Sequence, residues 1–135
     1  MSENKSLPNN NAETVLLVAD EVLVRAALSA YLRDCGYRVL EAISGDEAVG
    51  VLKDEKIKVD IVFSDVQMEG QMSGFDLAKW MRENRPDVQI ILAGTISQSV
   101  KVAGELCEQG PHLAKPYEPQ QVLEWIKKLR ALKPE

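Results

Sequence analysis

Histidine is nearly missing from this sequence: His112 is the only one in 135 residues. A multi-histidine metal site is therefore excluded, and any histidine-based triad would have to be built around that one ring. Cysteine occurs twice, at Cys35 and Cys107, too far apart for a metal knuckle or a redox pair. The expected role of both is small buried apolar filler in a reducing cytosol. No apolar run approaches the roughly 20 residues that span a bilayer. The start, Met-Ser-Glu-Asn-Lys, has no apolar core behind a basic segment, so a secretory signal is not expected. Basic residues are outnumbered, 16 against 21 acidic, and the net charge of −5 gives no bulk attraction to nucleic acid or an anionic membrane.

What is present suits one domain, since 135 residues would leave a second core too small. Residues 1–12, rich in Asn, are expected to form a disordered tail, and residues 13–131 the domain. Val15-Leu16-Leu17-Val18 is apolar without alternation, as in a strand buried on both faces. Val24, Ala27, Leu28, Tyr31 and Leu32 recur at helical spacing, with Gly36 as the stop. Tyr37–Ala42 reads as a second strand. Ser44 and Glu47 have capping-box order before a helix carrying Ala48, Val49 and Leu52.

Ile61–Phe63 reads as the third strand. A Gly-rich stretch follows, and Ser73 caps a helix whose inner face holds Leu77, Ala78 and Met81. Pro86 disfavours helix at Arg85, and Val88 to Leu92 makes the fourth strand. Ser97–Gln109 reads as a weaker helix, since Gly104 costs about 1 kcal/mol against Ala. Pro111–Ala114 is a short fifth strand, and the last helix holds Val122, Leu123, Ile126 and Leu129. Trp80 and Trp125 lie off the inner stripes. Partial burial is the plainer reading of both, and a partner-docking face the sharper reading of Trp125. Strands alternating with helices imply an α/β fold, a doubly wound five-stranded parallel sheet of (βα)5 type.

In such a sheet the chemistry sits beyond the strand C-termini. The first strand delivers Ala19-Asp20-Glu21, the third Ser64-Asp65, the fourth Ala93-Gly94-Thr95 and the fifth Lys115-Pro116. Asp20 and Asp65 are hard oxygen ligands that repel each other unless a cation such as Mg²⁺ lies between them. A carboxylate can also accept a phosphoryl group as a nucleophile. Lys115 would neutralise that group, and the Thr95 hydroxyl could donate to it. Each residue taken alone has a plainer reading: Asp20 as a helix cap, Asp65 as a turn residue, Lys-Pro as loop punctuation.

Together, Leu16-Leu17-Val18-Ala19-Asp20-Glu21, Ser64-Asp65-Val66-Gln67-Met68 through Met72-Ser73-Gly74, and Lys115-Pro116-Tyr117 resemble the CheY-like receiver domain of two-component response regulators. The resemblance covers residues 14–130. It implies a cytoplasmic phosphorelay module that takes a phosphoryl group from a histidine kinase or phosphotransfer protein. It implies Asp65 as phosphoacceptor, Lys115 as the conserved lysine, and Asp20, Asp65 and the Gln67 backbone carbonyl as Mg²⁺ ligands. It also implies partner signalling through the face of the fourth helix, fifth strand and fifth helix. With no basic cluster or recognition helix after residue 130, a stand-alone receiver is expected, monomeric or weakly dimeric, and not a turnover enzyme.

Two positions depart from the family pattern. Ala19 stands where a second acidic residue usually holds a metal-bound water, so Mg²⁺ affinity should be lowered. Gly94 falls at the strand-four hydroxyl position, with Thr95 one residue on. His112, three residues before the lysine, either rotates as a switch or caps the strand edge. The alternative is then a degenerate receiver that binds partners without phosphorylation. A flavodoxin-like carrier is a third reading. It would need a Gly-rich phosphate loop after the first strand, and Val18-Ala19-Asp20-Glu21-Val22-Leu23 contains no glycine.

Overall fold

In a computed structural model that describes residues 13–67, 72–94, 112–114 and 117–132, five parallel strands run in the order β2-β1-β3-β4-β5. They are β1 (Thr14–Val18), β2 (Arg38–Ala42), β3 (Ile61–Asp65), β4 (Gln89–Gly94) and β5 (His112–Ala114). The described helices are α1 (Val22–Asp34), α2 (Gly45–Lys53), α3 (Gly74–Asn84) and α4 (Pro119–Leu132). The expected helix over 97–109 lies outside the described residues, so α4 is the fifth helix of the sequence reading. None of the described helices is long and apolar enough to cross a membrane.

The unalternating strand runs explain the layering. Successive side chains of a strand point to opposite faces. Leu16, Val18 and Val62 therefore pack with Leu52, Leu77 and Met81 of α2 and α3. Val15, Leu17, Ile61 and Phe63 pack on the other face with Leu28, Leu32, Val122 and Ile126 of α1 and α4. All five residues of β1 and of β3 are buried, which only a sheet covered on both sides allows.

Local signals set the helix ends. Tyr37 N–H donates to the Leu32 carbonyl and Gly36 N–H to the Arg33 carbonyl, with Gly36 at φ 100°. This pairing closes α1, and its left-handed residue favours glycine. Ser44 Oγ accepts from Glu47 N–H, but Glu47 Oε1 accepts from Ile43 N–H, one residue beyond the usual partner. At α3, Ser73 and Asp76 form the full reciprocal box. Arg85 caps the C-terminus just before Pro86, as expected.

The helical spacing over residues 24–32 holds, with Leu28, Ser29 and Leu32 as the buried side of α1 and Val24 and Ala27 exposed. The first turn of α1 stands clear of the sheet, leaving Val22 63% and Leu23 83% exposed. Cys35 is exposed, not buried filler, because it is the C-cap residue of α1; Cys107 lies outside the described residues. The third strand runs through Ser64 to Asp65, two residues further than expected. Trp80 and Trp125 are partly buried against the two cores, and Lys128 Nζ sits 5.1 Å from the Trp125 ring centroid.

The opposite end of the sheet, where the strands begin, is tied by polar groups. Asp60 Oδ2 accepts from Thr14 N–H at 2.8 Å. Arg130 of α4 reaches Glu13 at 2.8 Å, Gln89 Oε1 at 2.8 Å and Asp60 Oδ1 at 3.7 Å. Gln89 Nε2 donates back to the Leu129 carbonyl at 3.1 Å.

Candidate functional site at the strand C-termini

Strand register brings the acidic residues to one rim. Val18 pairs with Ser64, so Asp20 and Asp65 leave the sheet on adjacent strands. Asp65 ends β3, pairs with Ala93 of β4, and is 2% exposed. A carboxyl this buried needs a counter-charge or a reaction to justify its desolvation. Asp20 is half-buried in the turn after β1. The helix-cap reading of Asp20 does not hold: the α1 N-cap is Glu21, whose side chain makes no capping bond.

The backbone around Asp65 is pinned from three sides. Ser64 Oγ donates to the Asp65 carbonyl at 2.9 Å. Val66 N–H donates to the Ala93 carbonyl, and Gly74 N–H to the Val66 carbonyl, both at 2.8 Å. That last bond folds the chain back so closely that a Cβ at Gly74 would strike the Asp65 carbonyl oxygen and lie 2.9 Å from Val66 Cα. Gly74 is thus required by proximity to the site.

At Ala19 the missing carboxylate is accompanied by a cation. Ala19 N–H donates to the Ala42 carbonyl, and its own carbonyl accepts from Arg25 Nη1 at 2.6 Å. Arg25 Nε holds Glu41 at 3.0 Å. A guanidinium therefore sits one residue from Asp20, on the carbonyl of an alanine.

Tyr117 closes the site from the side of α4. Its ring meets Phe63 edge-on, centroids 5.5 Å apart at 81°. Burial first, then the Asp65 and Glu21 carboxylates, pushes its phenol well above the usual tyrosine range.

Asp20 and Asp65 are thus brought to one rim, and Gln67 follows exposed in the loop after β3. Thr95 and Lys115 lie outside the described residues, although the positions before them, Gly94 and Ala114, are paired across β4 and β5. His112 lies on β5. The donor set of two carboxylates and one backbone carbonyl is all hard oxygen and fits Mg²⁺, which keeps several waters. Among the described residues, no group of three or more His, Cys, Asp or Glu comes together in a way that could hold a metal. Sequence reasoning missed three contributors. Arg25 carried the signal of standing one turn after Glu21. Tyr117 stood in the quoted Lys-Pro-Tyr run. Gly74 stood in the Met72-Ser73-Gly74 run, but nothing local to it showed the close approach to Asp65 and Val66.

The family profile described as response regulator receiver domain matches residues 15–127. The chain is 37% identical over 94 residues to the autoinducer 1 sensor kinase/phosphatase LuxN of Vibrio campbellii, covering 67% of this chain and 11% of that protein. Among solved structures, a response regulator receiver protein from Sinorhizobium medicae superposes with a TM-score of 0.81 at 25% identity, covering 92% and 98% of the two chains. TrrA from Thermotoga maritima, solved in complex with Mg²⁺-BeF, superposes with a TM-score of 0.75 at 27% identity, covering 87% and 98%. The chain spans half or less of the length of the first curated relatives it matches.

Proposed function

Because this chain belongs to the response regulator receiver family of two-component signalling, we propose that Asp65 accepts a phosphoryl group from a histidine kinase or phosphotransfer protein. The observation that carries this reading is a nearly fully buried carboxyl held at a strand end beside a second carboxylate. An Asp65 carboxylate oxygen attacks phosphorus, and the bond to the donor's imidazole nitrogen breaks. The imidazole keeps the electron pair of that bond.

Asp20, Asp65 and the Gln67 carbonyl would hold Mg²⁺, which supplies charge neutralisation for the incoming phosphoryl oxygens. The pinned backbone at Ser64, Val66 and Gly74 holds Asp65 in place, so little reorganisation accompanies attack. Lys115 pairs with the phosphoryl charge and Thr95 donates to it. The exposed Val22, Leu23 and Ile43 flank the rim and offer a donor protein an apolar landing. The module signals by binding partners and is not a turnover enzyme.

A second reading rests on Ala19: a receiver that binds partners without phosphorylation. A small phosphodonor with Mg²⁺, followed by intact-mass measurement, separates the two. Wild type should gain one phosphoryl mass and Asp65→Asn none. No gain by folded wild type, under conditions that label an ordinary receiver, favours the second reading.

A further inference from the structure

The Tyr117 hydroxyl is a buried polar group with nothing to bond. Among the described residues, no group lies within hydrogen-bond range of its Oη, and the atom is shielded from solvent. Buried phenols ordinarily find a partner, and one left without costs free energy comparable to a lost hydrogen bond. A tyrosine that merely filled the space beside Phe63 would be improved by losing its oxygen.

The geometry says where the oxygen faces. Phe63 and Asp65 are two residues apart on β3, so their side chains share one face of the sheet. The Tyr117 ring lies edge-on to Phe63 on that face. Asp65 and Glu21 are the two carboxylates whose charge acts on the phenol. An ordinary phenol is protonated at neutral pH, so the oxygen carries a proton to give. The Asp65 carboxylate itself is outside its reach. A group bonded to Asp65 extends further and carries more charge.

We infer that Tyr117 Oη is a binding donor of the phosphoacceptor pocket, giving its hydrogen bond to an oxygen of the phosphoryl group on Asp65. This rests on the reading of Asp65 as phosphoacceptor and adds a contact from the start of α4. Phosphorylation would then satisfy a group that the resting state leaves unsatisfied, and would tie the α4 entry to the modified strand end.

The test uses beryllofluoride with Mg²⁺ as a stable phosphoryl mimic. Titration calorimetry compares the full chain with Tyr117→Phe, which removes the oxygen alone. The expected result is about tenfold weaker binding by the variant, the size of one hydrogen bond to a charged group. Its urea midpoint should match or exceed that of wild type, since the lost oxygen had no partner. In wild type, proton NMR should show a slowly exchanging tyrosine hydroxyl resonance only with the mimic bound. Equal affinity of Y117F overturns the inference while leaving Asp65 as acceptor. Should Y117F fail to fold, absence of the hydroxyl resonance in the wild-type complex overturns it instead. If folded wild type takes up no beryllofluoride, the reading of Asp65 fails and this inference falls with it.

Discussion

Ala19 shows how much one residue decides at the strand ends. It is 5% exposed, its N–H is fixed to Ala42, and its carbonyl is held by Arg25. The backbone there is well supported, so a carboxylate can be restored without rebuilding it. We predict that Ala19→Asp tightens Mg²⁺ binding about tenfold in calorimetric titration, the usual weight of an outer-shell anchor. Unchanged affinity would mean that the Arg25 guanidinium cancels the added charge. Tyr37 gives a second residue-level prediction. Burial raises its phenol pKa first, then Glu13 and Cys35, against an opposing pull from Arg130. The folded state thus prefers the protonated phenol. Its contribution is complete below about pH 10, the unfolded value, and is lost as pH rises through the higher folded value. Urea midpoints above pH 10 should fall less steeply for Tyr37→Phe than for wild type. Equal slopes would contradict the assignment.

Elements were legible where local chemistry and burial agree. The α3 start could be read from Ser73 because its cap and the apolar stripe behind it point to the same helix. For α1 the periodicity shows which residues share a face, not how far the sheet beneath extends. Val24 keeps the helical spacing yet overhangs the rim. The β3 end was misread because Ser64 and Asp65 are polar, while their burial comes from neighbours distant in sequence. Gly74 belongs to this scale as the point where the start of α3 lies against the end of β3. Gly74→Ala should cost about 1–3 kcal/mol by urea unfolding, since its Cβ meets backbone that cannot give way. It should also slow phosphoryl uptake at the neighbouring Asp65. Wild-type stability in this variant would show that the loop relaxes freely.

For the molecule as a whole, the two ends of the sheet do different work. The apolar layers and strand order follow from the unalternating runs, which is why the fold class could be read from the sequence. The acidic pair at the C-terminal rim could be read too, because each residue follows a recognisable strand. The polar tie at the other end could not: Glu13, Asp60, Gln89 and Arg130 are scattered along the chain and meet only once it is folded. Arg130 is 15% exposed at its side chain and joins the C-terminal helix to three strand starts. Arg130→Met should lower stability by about 1–3 kcal/mol, between a surface pair and a buried one. It should leave phosphoryl uptake intact, because the tie lies at the far end from Asp65. Loss of uptake in a folded R130M chain would argue that the two ends are coupled.

Asp65 is the one carboxylate proposed to receive the phosphoryl group. Borohydride reduces an acyl phosphate to the alcohol, so an aspartyl phosphate becomes homoserine at the position that carried it. Peptide mass mapping of the chain, treated with phosphodonor and Mg²⁺ and then reduced, locates that residue. Homoserine is expected at position 65 and nowhere else. Reduction product at Asp20, Glu21 or Asp60, or none in a folded chain, would contradict it.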